Sequence, residues 1–159
     1  MGTLPQLLEE DIQQIEGSLE ELLSKSDATT ALVIDKAGFL ITKYGNQRQF
    51  DLTTIAALAS GAYAANQTIA NLVREKDFDC VYQQGERYSL LTMNVDEHCL
   101  LVVIFRASVS VGAVKYFAPA ASASVAKQMK IAQQRDPVNG LDLSVLNLSD
   151  TSDLFRRKT

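Results

Sequence analysis

The sequence contains few of the side chains from which catalytic and metal centres are usually built. Its 159 residues include one histidine, two cysteines and no tryptophan. A Ser-His-Asp or Cys-His arrangement would have to use His98, which begins a predicted strand beside a polar turn and is expected at the surface. Phosphate loops, dinucleotide fingerprints and zinc or calcium motifs are missing as well. We therefore expect no metal, no cofactor and no catalytic site, so that the protein is not an enzyme and acts through a surface.

The two cysteines, Cys80 and Cys99, do not form a CxxC pair, and each lies in an apolar segment. A disulfide framework or a zinc site requires more cysteines at characteristic spacings. Both are therefore expected to be buried free thiols.

Long apolar runs are also absent. The longest uninterrupted one covers residues 99–105, whereas a helix that crosses a bilayer needs roughly 18–20 apolar residues. Residues 1–6 have neither the basic start nor the apolar stretch of a signal peptide, so we expect a cytoplasmic protein without membrane insertion. The net charge of −4 is poorly matched to a phosphate backbone, so we expect no nucleic acid partner.

Regular helical and strand patterns are present along most of the chain. An apolar residue recurs every three or four positions between residues 8 and 23, which predicts an amphipathic helix with a solvated acidic face. Two short β-rich runs follow at residues 31–34 and 39–41. They are separated by Asp35-Lys36-Ala37-Gly38, in which Asp can start a tight turn and Gly can supply a positive φ. These features predict a β-hairpin.

Three more strands are predicted near residues 79–84, 87–95 and 98–106, joined by tight polar turns. The last of them is apolar on both faces and is expected at the centre of the sheet, whereas the first is short and polar, as is typical of an edge strand. A final helical pattern covers residues 110–134. Because proline disrupts a helix interior, we expect either a kink at Pro119 or a helix that begins close to it.

The order of these elements predicts an α+β fold, α-β-β-α-β-β-β-α, with a five-stranded antiparallel sheet between helices. This domain is expected to cover residues 1–134, and residues 135–159 form a C-terminal tail. The tail either lies over the domain or is frayed, or it carries a linear docking motif with Leu154 and Phe155 as its anchor.

The middle helix carries two different apolar stripes. It begins after Asp51, which is placed to accept hydrogen bonds from the free amides of the first turn, and runs to about Glu75. A row of mostly bulky residues is expected to pack against the sheet and comprises Ile55, Leu58, Ala62, Ala65, Ile69, Leu72 and Val73. The second stripe consists of small residues, namely Ala57, Gly61, Ala64 and Thr68.

The small stripe is unusual for a solvated helix face, which normally carries Glu, Lys, Gln or Arg. Gly61 costs about 1 kcal/mol of helix stability relative to alanine. Small side chains let another backbone approach closely, so the stripe is interpreted as a docking surface for a partner. The alternative is that these residues fill a tight contact within the same chain.

The short strand suggests self-association. Two copies can pair along the edge formed by Asp79, Cys80, Val81, Tyr82 and Gln83 and thereby bring their middle helices side by side. We therefore predict a homodimer with one continuous sheet and a platform of two helices.

With these features the sequence resembles the roadblock family, whose fold is roadblock/profilin-like. Within that family it is similar to the bacterial MglB proteins. The resemblance covers about residues 8–132. It rests on the element order, the Asp35-Lys36-Ala37-Gly38 hairpin, the segment Asp51-Leu52-Thr53-Thr54-Ile55-Ala56-Ala57-Leu58-Ala59-Ser60-Gly61, and the apolar residues 100–105 followed by Ser110-Val111-Gly112-Ala113-Val114-Lys115. Asp153-Leu154-Phe155 is similar to the tails of these proteins.

The resemblance implies a homodimer that binds a Ras-like small GTPase of the MglA type and stimulates GTP hydrolysis, in the control of bacterial cell polarity and motility. Matching the helices places Ala57, Gly61, Ala64 and Thr68 at or beside the contact with the GTPase. It also implies that activation works by remodelling the GTPase's own catalytic groups rather than by an arginine finger. The alternative is a roadblock scaffold that binds a GTPase or another partner without stimulating hydrolysis.

Overall fold

A computed structural model describes residues 4–46 and 48–135 of the protein. Its helices and strands follow one another in the predicted order. In chain order the elements are α1 (Glu9–Ser26), β1 (Thr30–Asp35), β2 (Leu40–Gly45), α2 (Leu52–Leu72), β3 (Cys80–Gln83), β4 (Tyr88–Asn94), β5 (Cys99–Arg106) and α3 (Val111–Gln134). Within the described residues no helix is long and apolar enough to span a bilayer.

The five strands form one antiparallel sheet in the order β2-β1-β5-β4-β3. Strand β5 lies at the centre, and every residue from Cys99 to Phe105 is buried because both faces of this strand are covered. Strand β3 forms one edge. The predicted α+β fold, the central position of the last strand and the edge position of the short one are confirmed.

The helices cover both faces of the sheet. Helices α1 and α3 pack on one face in a core to which Ile15, Phe105 and Val125 contribute. Helix α2 packs on the other face, where Leu52, Ala56 and Tyr63 lie against the inward side chains of β1 and β5. The sheet is therefore the middle of three layers, and the outer side of α2 is turned away from it.

Short-range signals in the sequence act as predicted. Asp35 Oδ1 accepts a hydrogen bond from the amide of Phe39 at 2.9 Å, and Gly38 has a φ of +104°, so the hairpin turn is confirmed. Asp51 is the N-cap of α2, because its Oδ1 accepts from the amide of Thr54 at 3.1 Å.

Helix α2 stops at Leu72, three residues earlier than predicted. Arg74 adopts a left-handed φ of +66°, and the amide of Glu75 then donates to the carbonyl of Ala70 at 2.8 Å. This pattern closes the helix C-terminus as a Schellman motif does. Arginine occupies the position where glycine is usual, and for that reason the stop was not visible in the sequence.

Helix α3 does not begin near Pro119, so this one of the two expectations was wrong, while the kink at Pro119 stays a prediction. The helix begins at Val111 and continues through the proline. Proline has no amide hydrogen to donate to the carbonyl of Lys115, four residues earlier. The helix tolerates this missing bond because its other face is held by the buried residues Val114, Ala118 and Val125.

Candidate partner-binding surface

The inner face of α2 is not the one that the sequence pattern indicated. Its buried residues are Leu52, Ala56, Ser60, Tyr63 and Ala70. Ser60 Oγ donates to the carbonyl of Lys36 at 2.6 Å, and the ammonium group of Lys36 lies 5.8 Å from the ring centroid of Tyr63. These contacts to the β1–β2 turn help to fix the rotation of the helix.

The predicted core row was therefore wrong for most of its members. Ile55 and Ala62 are half-buried and Ala65 is exposed, while Leu58, Ile69, Leu72 and Val73 are 68%, 48%, 78% and 59% exposed. The physical reason is that α2 is uncharged all round: no Asp, Glu, Lys or Arg occurs among residues 52–72, and its polar residues, such as Thr54, Ser60 and Asn66, are spread over several sides of the helix. A hydrophobic period cannot select the inner face of such a helix.

The small stripe is exposed at all four positions, Ala57, Gly61, Ala64 and Thr68. A Cβ atom added to Gly61 would meet nothing within 4 Å, so this glycine is not required by packing in the described part of the chain. Ala57 is different, because a Cβ on Gly38 would lie 3.3 Å from its Cα atom. One end of the stripe thus packs closely against the hairpin tip, and the rest faces outward.

The small stripe and the exposed bulky residues form one continuous surface. At 100° per residue, Leu72, Ala65, Leu58 and Ile69 lie about 20°, 40°, 60° and 80° from Gly61 around the helix, on the side away from the buried residues of α2. We call this surface the α2 face and define it as Ala57, Leu58, Gly61, Ala64, Ala65, Thr68, Ile69 and Leu72. Sequence reasoning missed its bulky half. The signal that could have found it was the absence of charge over 21 consecutive residues, since the outside of a solvated helix rarely lacks charge.

The predicted dimer edge lies at the border of the sheet. Among the described strands, β3 pairs only with β4, so its other side is open. Cys80, Val81 and Tyr82 are half-buried, and Asp79 and Gln83 are exposed. The short, open edge meets the geometric requirement of the predicted pairing.

Helix α2 lies closest to β1 and β2 and reaches the central strand β5 through side chains, but it does not extend over β3. On the α2 side, Leu32 and Ile34 of β1 are fully buried, whereas Val81 of β3 and Tyr88 and Leu90 of β4 are only half-buried. An apolar shoulder therefore runs between α2 and the β3 edge.

The single histidine is not a surface residue, and the expectation that it would be was wrong. The side chain of His98 is only 17% exposed, and its Nε2 atom lies 3.3 Å from an oxygen of Glu97. Its neighbour Cys99 is buried, and burial raises the pKa of the thiol to about 12, so this thiol stays protonated at neutral pH. A protonated buried thiol is a poor nucleophile, so this Cys-His neighbourhood does not resemble a catalytic pair.

Cys80 is only half-buried, unlike the fully buried thiol that was predicted, and both cysteines are free. In the residues that the structure describes, no group of three or more His, Cys, Asp or Glu side chains is placed to hold a metal ion. Leu154 and Phe155, the predicted docking residues of the tail, lie outside the described residues.

The fold and the surface can now be compared with known proteins. The Roadblock/LC7 domain matches residues 15–105, which is more than half of the chain. The chain belongs to the Roadblock/LC7 family. This confirms the resemblance noted in the sequence, and the match extends from α1 through the last strand of the roadblock sheet.

Solved structures of MglB are similar to this roadblock protein over most of its length. An MglB with a tetrameric arrangement is 30% identical, with a TM-score of 0.77, and the alignment covers 83% of this chain and 99% of that one. Gliding protein MglB from Thermus thermophilus is 31% identical, with a TM-score of 0.75 and coverages of 82% and 98%. MglB from Myxococcus xanthus is 29% identical, with a TM-score of 0.73 and coverages of 80% and 96%. No curated protein matches the sequence significantly.

Proposed function

We propose that this roadblock protein is a homodimeric regulator that binds a Ras-like small GTPase of the MglA type and stimulates its GTP hydrolysis, in the control of cell polarity and motility. The observation that carries the proposal is the α2 face, an exposed and uncharged helix surface on a protein similar to MglB. The protein acts in the cytoplasm and has no catalytic site of its own.

Dimerisation accounts for the open edge and for the apolar shoulder. Two β3 strands that pair in antiparallel fashion make a ten-stranded sheet and bring the two shoulders together across the two-fold axis. Burial of Val81 and Leu90 against the second copy then removes apolar surface that a single copy leaves half-exposed. The two α2 helices come to lie side by side and form one platform.

The platform suits a folded protein partner better than a small ligand. Gly61 and Ala64 make it flat enough for close backbone approach, and Leu58 and Leu72 supply large side chains that can enter pockets of the partner. Interface centres are depleted in charged residues, as this surface is. The small residues thus provide fit, and the leucines provide most of the buried area.

An arginine finger is not expected from this surface, because α2 contributes no arginine to it. Arg48, Arg74 and Arg87 are exposed but lie outside the α2 face. A partner that presents only apolar and small side chains accelerates hydrolysis by favouring the conformation in which the GTPase aligns its own catalytic residues. This is stimulation by population shift.

The decisive experiment is single-turnover GTP hydrolysis by an MglA-type GTPase with and without the full chain. Stimulation predicts an increase in the hydrolysis rate that saturates with the concentration of this protein. Binding in a pull-down or by calorimetry without an increase in rate would favour the alternative, a roadblock scaffold. The absence of both binding and stimulation would overturn the proposal.

A further inference from the structure

A second surface, distinct from the α2 face, lies at one end of the sheet. It is a groove of about 770 Å³ bordered by the side of α2, the connection that follows α2, the turn between β4 and β5, and α3 near Pro119. Tyr63 and Gln67 contribute its α2 wall, and Ser122 and Ala123 contribute its α3 wall. The volume is large enough for several side chains of a peptide.

The groove combines acidic and apolar linings. Its carboxylates are Asp77, Asp79, Asp96 and Glu97, and its main apolar residues are Phe78, Met93, Val95 and Pro119. Among the described residues that line it, Lys36 is the one basic side chain, and its ammonium group lies over the ring of Tyr63. Asp96 Oδ1 already accepts from the amides of His98 and Cys99, both at 2.8 Å. Asp77, Asp79 and Glu97 are exposed.

We propose that this groove binds the chain's own C-terminal segment, residues 154–158. That segment reads Leu-Phe-Arg-Arg-Lys. Its three cations complement the carboxylates of the groove, and Leu154 and Phe155 match Phe78, Met93 and Val95. The segment therefore has both of the properties that the groove selects for, next to each other in the sequence.

The segment can reach the groove within one chain. Helix α3 ends at Gln134, and the groove touches it at Pro119, which at 1.5 Å per residue is about 22 Å back along the helix. The 18 residues from 136 to 153 span up to roughly 60 Å when extended. The extended length of these residues therefore exceeds the distance from the end of α3 back to the groove, which leaves enough chain for a turn.

This inference does not depend on the proposed GTPase, and its test contains none. The full chain carries Cys80→Ser and Thr159→Cys, and the new cysteine is spin-labelled. Labelled chains enriched in ¹⁵N are diluted tenfold into unlabelled chains, and the amide signals of Phe78 and Val95 are observed by NMR. Docking within the chain predicts at least twofold broadening of these signals relative to the reduced label. Signals of α1 remain sharp.

Groove and control variants make the test specific. Asp77→Lys together with Glu97→Lys should abolish the broadening, and Glu86→Lys, a charge reversal at an exposed position outside the groove, should retain it. Adding Arg156→Glu and Arg157→Glu to the groove variant should restore it. Asp79 is left unchanged because it belongs to the predicted dimer edge. Absence of broadening in the parent chain, its persistence in the groove variant, or its loss on dilution, which indicates a neighbouring chain's tail, would each overturn the proposal.

Discussion

Arg135 fastens the end of the third helix to the start of the first by donating two hydrogen bonds to the carboxylate of Asp11, at 2.6 and 2.8 Å. Asp11 is fully buried and also accepts from the amide of Leu8 at 2.8 Å and from Gln128 Nε2 at 2.7 Å. The Arg135 hydrogen bonds, aided by those from Leu8 and Gln128, hold the pKa of Asp11 well below its usual range. Residues at the two ends of the domain are thereby held in one site.

Replacing Asp11 should destabilise the fold. Asp11→Ala removes the buried acceptor of the part-buried donors of Leu8, Gln128 and Arg135, and we expect a loss of about 1–3 kcal/mol in the free energy of unfolding. Chemical denaturation at pH 7 measures it. Glu10→Ala is the matched control, because exposed Glu10 contacts the same guanidinium at 3.3 Å and should matter much less. Equal losses in the two variants would contradict the central role of Asp11.

The same site predicts how stability depends on pH. A carboxyl whose pKa is lower in the folded than in the unfolded state contributes stability above its unfolded pKa, near 4, and loses it as the pH falls toward the folded pKa. The parent protein should therefore lose stability more steeply than Asp11→Ala below about pH 5. Parallel pH profiles of the two proteins in denaturation experiments would rule this coupling out.

A large charge on the α2 face should remove partner binding without unfolding the protein. Ala64→Arg or Thr68→Arg places an unpaired cation in the proposed contact, and we expect at least a tenfold loss in affinity for the GTPase with an unchanged melting temperature. Calorimetry measures the affinity. Ala120→Arg on α3, an exposed position on the opposite side of the sheet, is the control and should bind normally. Normal binding by the α2 variants would show that the stripe is only structural.

Gly61→Ala should raise the stability of the fold and weaken the binding of a partner. The added methyl group meets nothing within 4 Å and removes the helix penalty of glycine, so the free energy of unfolding of the chain should rise by about 0.5–1 kcal/mol. If a partner backbone approaches Gly61 closely, the affinity should fall at the same time. Gly38→Ala is the opposite control and should destabilise the fold, because its φ is +104° and its Cβ would lie 3.3 Å from the Cα of Ala57.

Val81→Arg should shift the protein from dimer to monomer. The side chain is half-buried on the apolar shoulder beside the open edge, where a cation would be trapped between two copies. Analytical ultracentrifugation measures the mass. Tyr44→Arg, half-buried on strand β2 at the other edge, is the control and should leave the assembly unchanged. A dimer that persists in Val81→Arg, or a parent chain that is a monomer at micromolar concentration, would exclude the proposed pairing.

The sequence by itself determined the elements whose signals are local. Asp35 and Gly38 specify the hairpin, Asp51 specifies a helix start, and the two-faced apolar run in β5 specifies a central strand, because each effect acts over a few residues. Family membership followed from the same elements in their order. Only the tertiary structure decided the rotation of α2, since a helix without charge over 21 residues has no charged side that must face solvent, and contacts with Lys36 help to fix its inner face. The contact between Asp11 and Arg135 also depends on the tertiary structure alone. The two residues are 124 positions apart, so no local sequence pattern links them, and they meet only because the helices that bear them pack together.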